Sequence, residues 1–292
     1  IIIKSIHKFK IINENNMSNK IKKNSLSIKK PLIMGILNVT PDSFYDGGRF
    51  STIKKAVNQT HKMIHEGADI IDIGAFTSKP FSKEISISEE KKRLLPVIKE
   101  LKKIFPNLVI SVDTYRREIA EQSINLGASI INDIYGGEHD PSMIDFIAKN
   151  NTPYITMHMK GEPINMQKKI TYGNFKEELI RFFVKKSSTL KKLGHTKLII
   201  DPGFGFGKTI EQNFKMINLI PELKTINENI LVGISRKSMI YKTLKTSPEN
   251  SLNSTTILNT ICIIKGANIL RVHDVKEAKE VLKMINLVKN NN

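Results

Sequence analysis

The chain has 292 residues, of which 40% are hydrophobic and 25% charged, which is enough for one large domain or two small ones. No apolar run reaches the ~18 residues that a bilayer-spanning helix requires, and the single cysteine, Cys262, excludes an intramolecular disulfide and a cysteine-rich metal site. The formal net charge of +18 would suit nucleic acid, but the lysines are spread along the chain rather than gathered in one stripe, so we expect no nucleic-acid partner.

Residues 1–30 form a basic segment of low complexity, which we expect to be a weakly ordered arm ahead of Pro31. The segment mixes apolar residues with Lys and Asn and lacks the continuous apolar stretch of a secretory signal. Together with the single cysteine, this predicts a protein of the reducing cytoplasm.

From residue 31 onward, short runs rich in Ile and Val alternate with longer segments of helical period. We predict strands at 32–39, 68–75, 108–113, 129–134, 154–159, 197–203, 230–235 and 268–274. We predict helices near 52–66, 86–104, 115–126, 140–150, 173–193, 209–226, 252–265 and 275–289. Continuous apolar strands imply burial on both faces and therefore a parallel sheet. Eight strand–helix pairs predict a single α/β domain over residues 31–292, a (β/α)₈ TIM barrel, with an open doubly wound sheet as the alternative.

Polar residues stand at the carboxyl ends of most of these predicted strands. They are Asn38, Asp113, Asn132, Asp133, His158, Asp201, the run Ser235-Arg236-Lys237, Arg271 and His273. Each alone would also serve to cap a helix or begin a turn, but in a barrel all of them lie on the rim where chemistry takes place. Carboxylates and amides suit a polar heterocycle with N–H donors, and cations suit a phosphate-like anion. The set predicts a ligand with two different ends.

Two other patterns are weak. DPGFGFGKT, residues 201–209, ends like a phosphate loop, but Pro202 stands where the Walker pattern requires its first glycine. His61 and His65 are one helical turn apart, but they lie in the first predicted helix, away from the rim, so we expect a solvated helix face. Cys262 lies in an apolar helix and is expected to be a small core residue.

Seven segments resemble the dihydropteroate synthase family of folate biosynthesis. They are MGILNVTPDSFYDGG, SVDTY, INDI, MHMKGEPINMQ, DPGFGFGK, SRKSMI and ILRVHDV, in the family's order from Pro31 to about Asp274. The resemblance implies a (β/α)₈ barrel in which the amine of 4-aminobenzoate attacks the methylene carbon of 6-hydroxymethyl-7,8-dihydropterin diphosphate. It also implies that Mg²⁺ assists the departure of diphosphate, that the protein is a sulfonamide target, and that it forms a homodimer.

The resemblance also gives individual positions a role. Asp113, Asn132, Asp201 and Lys237 correspond to the pterin-binding set, Ser78, Arg271 and His273 to the diphosphate site, Asn38 to the metal ligand, and Phe206 and Ser238 to the 4-aminobenzoate site. Lys237, Asp201, Arg271 and His273 are the implied catalytic residues. Arg236 is expected to be structural rather than a direct contact.

The loop after the second predicted strand departs from the family. The usual pattern is Gly-Glu-Ser-Thr-Arg-Pro-Gly, whereas residues 75–81 read AFTSKPF. Ser78 keeps a hydroxyl, Lys79 keeps a charge but loses the bidentate fork of arginine, and Phe81 replaces a glycine. The loop TPDSFYDGG, residues 40–48, is predicted to be a mobile lid over the diphosphate substrate, with Asp42 and Phe44 reaching the pocket.

A pterin-binding methyltetrahydrofolate methyltransferase is the alternative function, because such an enzyme would share the barrel and the pterin pocket. A methyl donor needs no diphosphate site, so Arg271 and His273 argue against it. A non-catalytic binding protein that keeps the pocket is a second alternative, against which the competent residue types at the pterin and diphosphate positions argue.

Overall fold

Eight parallel strands and nine α-helices make up the computed structural model, within the residues it describes, 26–40, 48–76, 84–161 and 171–290. The strands are β1 Leu32–Asn38, β2 Ile70–Gly74, β3 Val109–Asp113, β4 Ile130–Asp133, β5 Tyr154–Met157, β6 Leu198–Asp201, β7 Leu231–Val232 and β8 Ile269–Val272. The helices are α1 Gly48–Glu66, α2 Ile87–Ile104, α3 Arg117–Asn125, α4 Ser142–Asn150, α5 Phe175–Lys192, α6 Ile210–Ile226, α7 Ser238–Tyr241, α8 Leu252–Ile264 and α9 Val275–Asn290.

The strands pair in the order β6-β5-β4-β3-β2-β1-β8-β7, and an isolated parallel bridge from Ile200 to Ile230 joins the two ends of this order. The sheet is therefore a nearly closed barrel, which confirms the predicted (β/α)₈ fold. β7 is shorter than the predicted 230–235, and at its amino end side-chain amides add to the main-chain bonds on both sides. Asn268 Oδ1 accepts the Ile230 N–H at 2.7 Å, and Asn229 Nδ2 donates to the Leu198 carbonyl at 3.2 Å.

The lower half of the barrel interior is a closed apolar layer. Alternate strand residues point inward, and those nearest the amino ends form one buried cluster: Leu32, Met34, Ile70, Val109, Ile130, Ile155, Ile199, Leu231 and Ile269. Leu26 and Ile28, from the last five residues of the predicted arm, join this cluster from below. The Asn229 and Asn268 amides donate to the carbonyls of these two residues at 2.8 and 3.1 Å. Residues 1–25, the rest of the arm, lie outside the described residues.

The helices cover the outside of the barrel with a second, larger cluster, to which fully buried Cys262 belongs, as predicted. α6 begins with a capping box, in which Thr209 and Gln212 bind each other's backbone N–H groups. The one-turn helix α7 was not predicted, because a single turn is too short to show a helical period. None of the described helices is both long enough and apolar enough to cross a bilayer.

Candidate active site

Above the apolar layer, the inward-facing residues of the strands become polar. In β2, β4 and β8, the residue two positions after the apolar-layer isoleucine is Asp72, Asn132 and Arg271, respectively. In β3, Asp113 lies four positions after the apolar-layer valine. β6 ends in Asp201. Asp72, Asp113, Asn132 and Asp201 are all at least nine-tenths buried. The carboxyl end of the barrel is therefore a deep polar pocket on an apolar floor.

Arg271 links two carboxylates across this pocket. Its Nε donates to Asp72 Oδ2 at 2.7 Å, and its Nη2 donates to Asp113 Oδ2 at 3.0 Å. Asp72 Oδ2 also accepts a hydrogen bond of 3.1 Å from Asn132 Nδ2. The second oxygens, Asp72 Oδ1 and Asp113 Oδ1, are buried and have no hydrogen-bond partner within the described ranges. Because a buried acceptor without a partner is costly, Asp113 Oδ1 is suited to accept an N–H from a ligand.

The opposite wall consists of Asp201, Lys237 and Phe206. Asp201 Oδ1 accepts the backbone N–H of Gly203 at 2.8 Å. The Lys237 ammonium donates to the Phe204 carbonyl and lies 4.2 Å from the centre of the Phe206 ring. The wall thus offers an acidic and a basic group beside one aromatic face.

Burial shifts the pKa values of these groups toward neutrality. Removal from water raises the pKa of Asp113 to about 7, against the opposing charge of Arg271. It raises the pKa of Asp201 as well, where the Gly203 N–H and the Lys237 charge oppose it. The same loss of water lowers the pKa of Lys237 to about 7, although Asp201 favours its charged form. Perturbed pKa values in a pocket are typical of a functional site.

The loop after β6 is held by a buried lysine. Lys208 is 2% exposed, and its Nζ donates to the carbonyls of His158, Gly203 and Phe206 at 2.9, 2.9 and 3.0 Å. Burial lowers the pKa of Lys208 well below its usual value. All three of its donors are engaged within the protein. Its partners are therefore main-chain carbonyls rather than phosphate, which agrees with the mismatch to the Walker pattern at Pro202.

His273 and Arg236 lie at the rim beyond β8 and β7. The His273 Nδ1 atom is 3.0 Å from Ser235 Oγ. His273 is exposed as a whole residue, but partial loss of water around its ring and the charge of Arg271 lower its pKa. Its ring is therefore neutral at pH 7. Arg236 binds both Asp274 carboxylate oxygens at 2.9 Å and donates to two carbonyls, at Pro248 and Glu249, which agrees with the expected structural role.

The remaining predicted residues are less closely tied to this network. Asn38 ends β1, half-buried, with Gly74 of β2 as its register partner, and Ser238 begins α7. Ser78 lies outside the described residues, as do Asp42, Phe44, Lys79 and Phe81. His61 and His65 are exposed on α1, as predicted.

No group of three or more His, Cys, Asp or Glu side chains placed to hold a metal occurs in the described part of the chain.

Asp72 is the site residue that the sequence analysis missed. It lies within the predicted strand 68–75 rather than at its end, so the search for polar residues at strand ends passed over it. The available signal was its spacing: an acidic residue two positions after Ile70, in an otherwise aliphatic strand, shares the inward face. Buried carboxylates are rare unless they are paired or functional.

Comparison with known proteins identifies one family. The family model described as "Pterin binding enzyme" matches residues 34–273. The dihydropteroate synthase of Escherichia coli (strain K12) is 39% identical over 263 residues, which are 89% of this chain and 93% of the relative. The dihydropteroate synthase of Yersinia pestis, solved with a sulfonamide drug, has a TM-score of 0.84 at 36% identity and covers 91% of this chain and 96% of its own. That of Xanthomonas albilineans, solved with 4-aminobenzoic acid, has a TM-score of 0.83 at 34% identity, covering 90% and 95%.

Proposed function

The chain belongs to the dihydropteroate synthases of the pterin-binding enzyme family, and from this we propose how its pocket residues divide the reaction. The enzyme condenses 6-hydroxymethyl-7,8-dihydropterin diphosphate with 4-aminobenzoate to give 7,8-dihydropteroate and diphosphate, a step of folate synthesis. The amine nitrogen bonds to the methylene carbon as the carbon–oxygen bond to diphosphate breaks. Diphosphate leaves with the electron pair, and the nitrogen loses a proton.

The buried carboxylates hold the pterin. A 2-amino-4-oxo pterin presents two adjacent N–H groups, which one carboxylate can accept in bidentate fashion, and we assign this role to Asp201. Asp113 Oδ1, buried without a partner in the described residues, accepts a further N–H. Asn132, whose Nδ2 is bound to Asp72, presents its carbonyl oxygen, and Lys237 donates to a ring oxygen or nitrogen. This convergence of buried acceptors is the observation that carries the proposal.

The cationic edge of the pocket receives the diphosphate. Arg271 is the only cation that bridges two pocket carboxylates within the described residues, and its guanidinium suits bidentate binding of phosphate oxygens. His273, neutral at pH 7 because its pKa is lowered, acts as a hydrogen-bond donor. Ser78 is assigned here from the resemblance alone. Catalysis then rests on positioning the two substrates and on stabilising the charge of the leaving group, with no covalent enzyme intermediate.

Phe206 and Ser238 form the site for 4-aminobenzoate. Phe206 is largely buried, and its ring contacts the Lys237 ammonium at 4.2 Å, so an arylamine stacked there would lie beside the pterin end of the pocket. Ser238 is half-buried at the start of α7, immediately after Lys237, and supplies a hydroxyl for the carboxylate.

The donor set fits Mg²⁺ bound together with substrate. Mg²⁺ usually keeps several waters and takes only one or two protein oxygens in addition to substrate phosphates. Asn38, the half-buried last residue of β1, supplies one amide oxygen, and no carboxylate cluster is needed. When bound, the ion neutralises charge on the departing diphosphate.

A homodimer is also proposed, with α8 and α9 at its interface. These two neighbouring helices expose five large apolar side chains, Ile257, Ile264, Met284, Leu287 and Val288, and exposed apolar patches mark interaction surfaces.

We propose the cytoplasm as the compartment, because the chain has one cysteine and therefore no disulfide framework.

Diphosphate release tests the proposed function against the methyltransferase alternative. The pterin diphosphate and Mg²⁺ are incubated with the protein, with and without 4-aminobenzoate, and free diphosphate is measured. Release that requires the arylamine is expected. Absence of release in both mixtures would contradict the proposed reaction.

A further inference from the structure

Asp72 lies one layer below the residues assigned to the substrate, on the inward face of β2. Its side chain is fully buried, and its register partner on β3 is Ser111, two residues before Asp113. Only one of its oxygens, Oδ2, makes hydrogen bonds within the described ranges, and that oxygen accepts from both Arg271 and Asn132. A single buried carboxylate oxygen therefore joins a residue of the diphosphate end to a residue of the pterin end.

The contact to Asn132 fixes which end of its amide faces the ligand. A carboxylate accepts but does not donate hydrogen bonds, so Asp72 retains the NH₂ group at 3.1 Å and leaves the Asn132 carbonyl oxygen for the pocket. Without the carboxylate, the amide could rotate by half a turn and present a donor to the N–H groups of a pterin. Asp72 thus selects the acceptor state of Asn132.

The contact to Arg271 fixes the base of its guanidinium. Nε is bound to Asp72 at 2.7 Å, whereas Nη2 is bound to Asp113 at 3.0 Å. Asp113 can accept a pterin N–H through its second oxygen, Oδ1, so Arg271 keeps its bonds to Asp72 and to Asp113 Oδ2, and the remaining edge of the guanidinium is directed to the leaving diphosphate. The positive charge of Arg271 also stabilises the ionised form of Asp113, since it opposes the rise that burial causes in the pKa of that carboxyl.

We propose that Asp72 is a positioning residue of the reaction, which orients Arg271 and Asn132 from beneath the substrate without touching it. This inference rests on the proposed function of the pocket. It predicts that Asp72→Asn, which keeps the size of the side chain but replaces the charged acceptor of Arg271 with a neutral amide that also carries a competing donor, lowers kcat/KM for the pterin diphosphate about 10- to 100-fold, because small misplacement of reacting groups has effects of this size. KM for 4-aminobenzoate changes little.

Asp133→Asn is the matched control. Asp133 is an equally buried carboxylate at the end of β4, two strands from β2 in the sheet order. The sequence analysis placed it on the rim, but its partners are the Tyr154 hydroxyl at 2.7 Å and the N–H groups of Tyr135 and Gly137 at 2.8 Å each, and not the residues of the pocket. A merely structural role for Asp72 predicts equal losses in both variants. The proposal predicts that folded Asp133→Asn protein keeps a kcat/KM within about threefold of the unsubstituted protein, since it leaves the pocket contacts intact.

A double-mutant cycle separates positioning from general damage. In an Asn132→Ala background, one of the two groups that Asp72 orients is gone, so the loss caused by Asp72→Asn should be smaller than in the unsubstituted protein. Additive losses would overturn the proposal.

If Asp72→Asn does not fold, Arg271→Lys replaces it, because lysine keeps the charge but has no Nε donor. An Arg271→Lys protein with unchanged kcat/KM would equally overturn it.

These outcomes are distinct from failure of the proposed function. If the unsubstituted protein forms no dihydropteroate, the function itself is wrong. If the unsubstituted protein is active and Asp72→Asn has the same kinetics, only the role of Asp72 is wrong.

Discussion

The Nζ atom of Lys208 lies 2.9 Å from the main-chain oxygen of His158, and this bond ties the loop after β6 to the end of β5. The same ammonium also holds the carbonyls of Gly203 and Phe206. Asp201 and Phe206 flank this loop, so its geometry sets one wall of the pocket. The resemblance of this segment to a phosphate loop therefore has a structural explanation: the glycines and the lysine serve the packing of the loop.

Lys208→Met should lower the free energy of unfolding by roughly 2–4 kcal/mol, because it leaves three buried carbonyls without their shared donor, and should weaken pterin binding. Urea denaturation and calorimetry measure the two effects. Lys215→Met is the control, since Lys215 is an exposed lysine on α6 that pairs with Glu211 at 2.7 Å and should cost less than ~1 kcal/mol. Equal effects of the two substitutions would contradict the role of Lys208.

Gly203→Ala should destabilise the protein far more than Gly194→Ala. Both glycines have positive φ, +74° and +81°, so both alanines carry the left-handed backbone cost of about 1–2 kcal/mol. A Cβ at Gly203 would lie 2.0 Å from the His158 carbonyl oxygen, whereas a Cβ at Gly194 meets no described atom within 4 Å. Thermal denaturation of the two variants compares them directly. Similar midpoints would mean that the close approach of the loop to β5 is not needed.

The dependence of kcat/KM on pH should be bell-shaped with a maximum near pH 7. Below that pH, Asp113 gains a proton, because burial raises its pKa to about 7, and it loses its capacity as a carboxylate acceptor. Above it, Lys237 loses its proton, because burial lowers its pKa to about 7. Lys237→Arg keeps its charge at all these pH values and should remove the alkaline fall, whatever its effect on the maximum. A flat profile between pH 6 and 8 in the unsubstituted protein would refute this assignment.

His158 should make the folded state sensitive to acid. Burial and the charges of Lys208 and Lys160 lower its pKa to about 2, below the unfolded value of about 6.5. The unfolded state therefore binds the proton first, and stability is fully present above pH 6.5 and falls as the pH drops below it. His158→Phe removes this contribution, which amounts to about 1.4 kcal/mol per pH unit. Denaturation at pH 7 and pH 5 should show a smaller loss in the variant, and an equal loss in both proteins would contradict the prediction.

Much of the fold could be predicted from the sequence because a parallel barrel has strong local signals. Aliphatic runs of four to eight residues alternate with segments of helical period eight times, and each pair agrees with the same architecture. The errors lie where tertiary contacts override local pattern. Beside the short strand β7, the side chains of Asn229 and Asn268 bind main-chain groups of Leu198 and Ile230, and no periodicity reveals such contacts.

The site was predicted only in part, for a related reason. Polar residues at strand ends stand out against aliphatic neighbours, which is how Asp113, Asn132 and Asp201 were found. Asp72 lies deeper, inside its strand, where its spacing from Ile70 was the available signal, and the pairing of β2 with β3 shows that it faces the same pocket. The direction of Arg271, toward Asp72 and Asp113, depends on side chains from three strands, and sequence spacing carries no information on such a contact.

Formation of 7,8-dihydropteroate by the unsubstituted protein and by Asp201→Asn is the most direct test of the central claim. Both are incubated with 4-aminobenzoate, the pterin diphosphate and Mg²⁺, and the product is measured by chromatography. The unsubstituted protein should form product. Asp201→Asn should form far less and bind the pterin substrate weakly, because an amide cannot accept both adjacent N–H groups. Folded, unsubstituted protein that yields no dihydropteroate from both substrates, or an Asp201→Asn variant with full activity, would contradict the account.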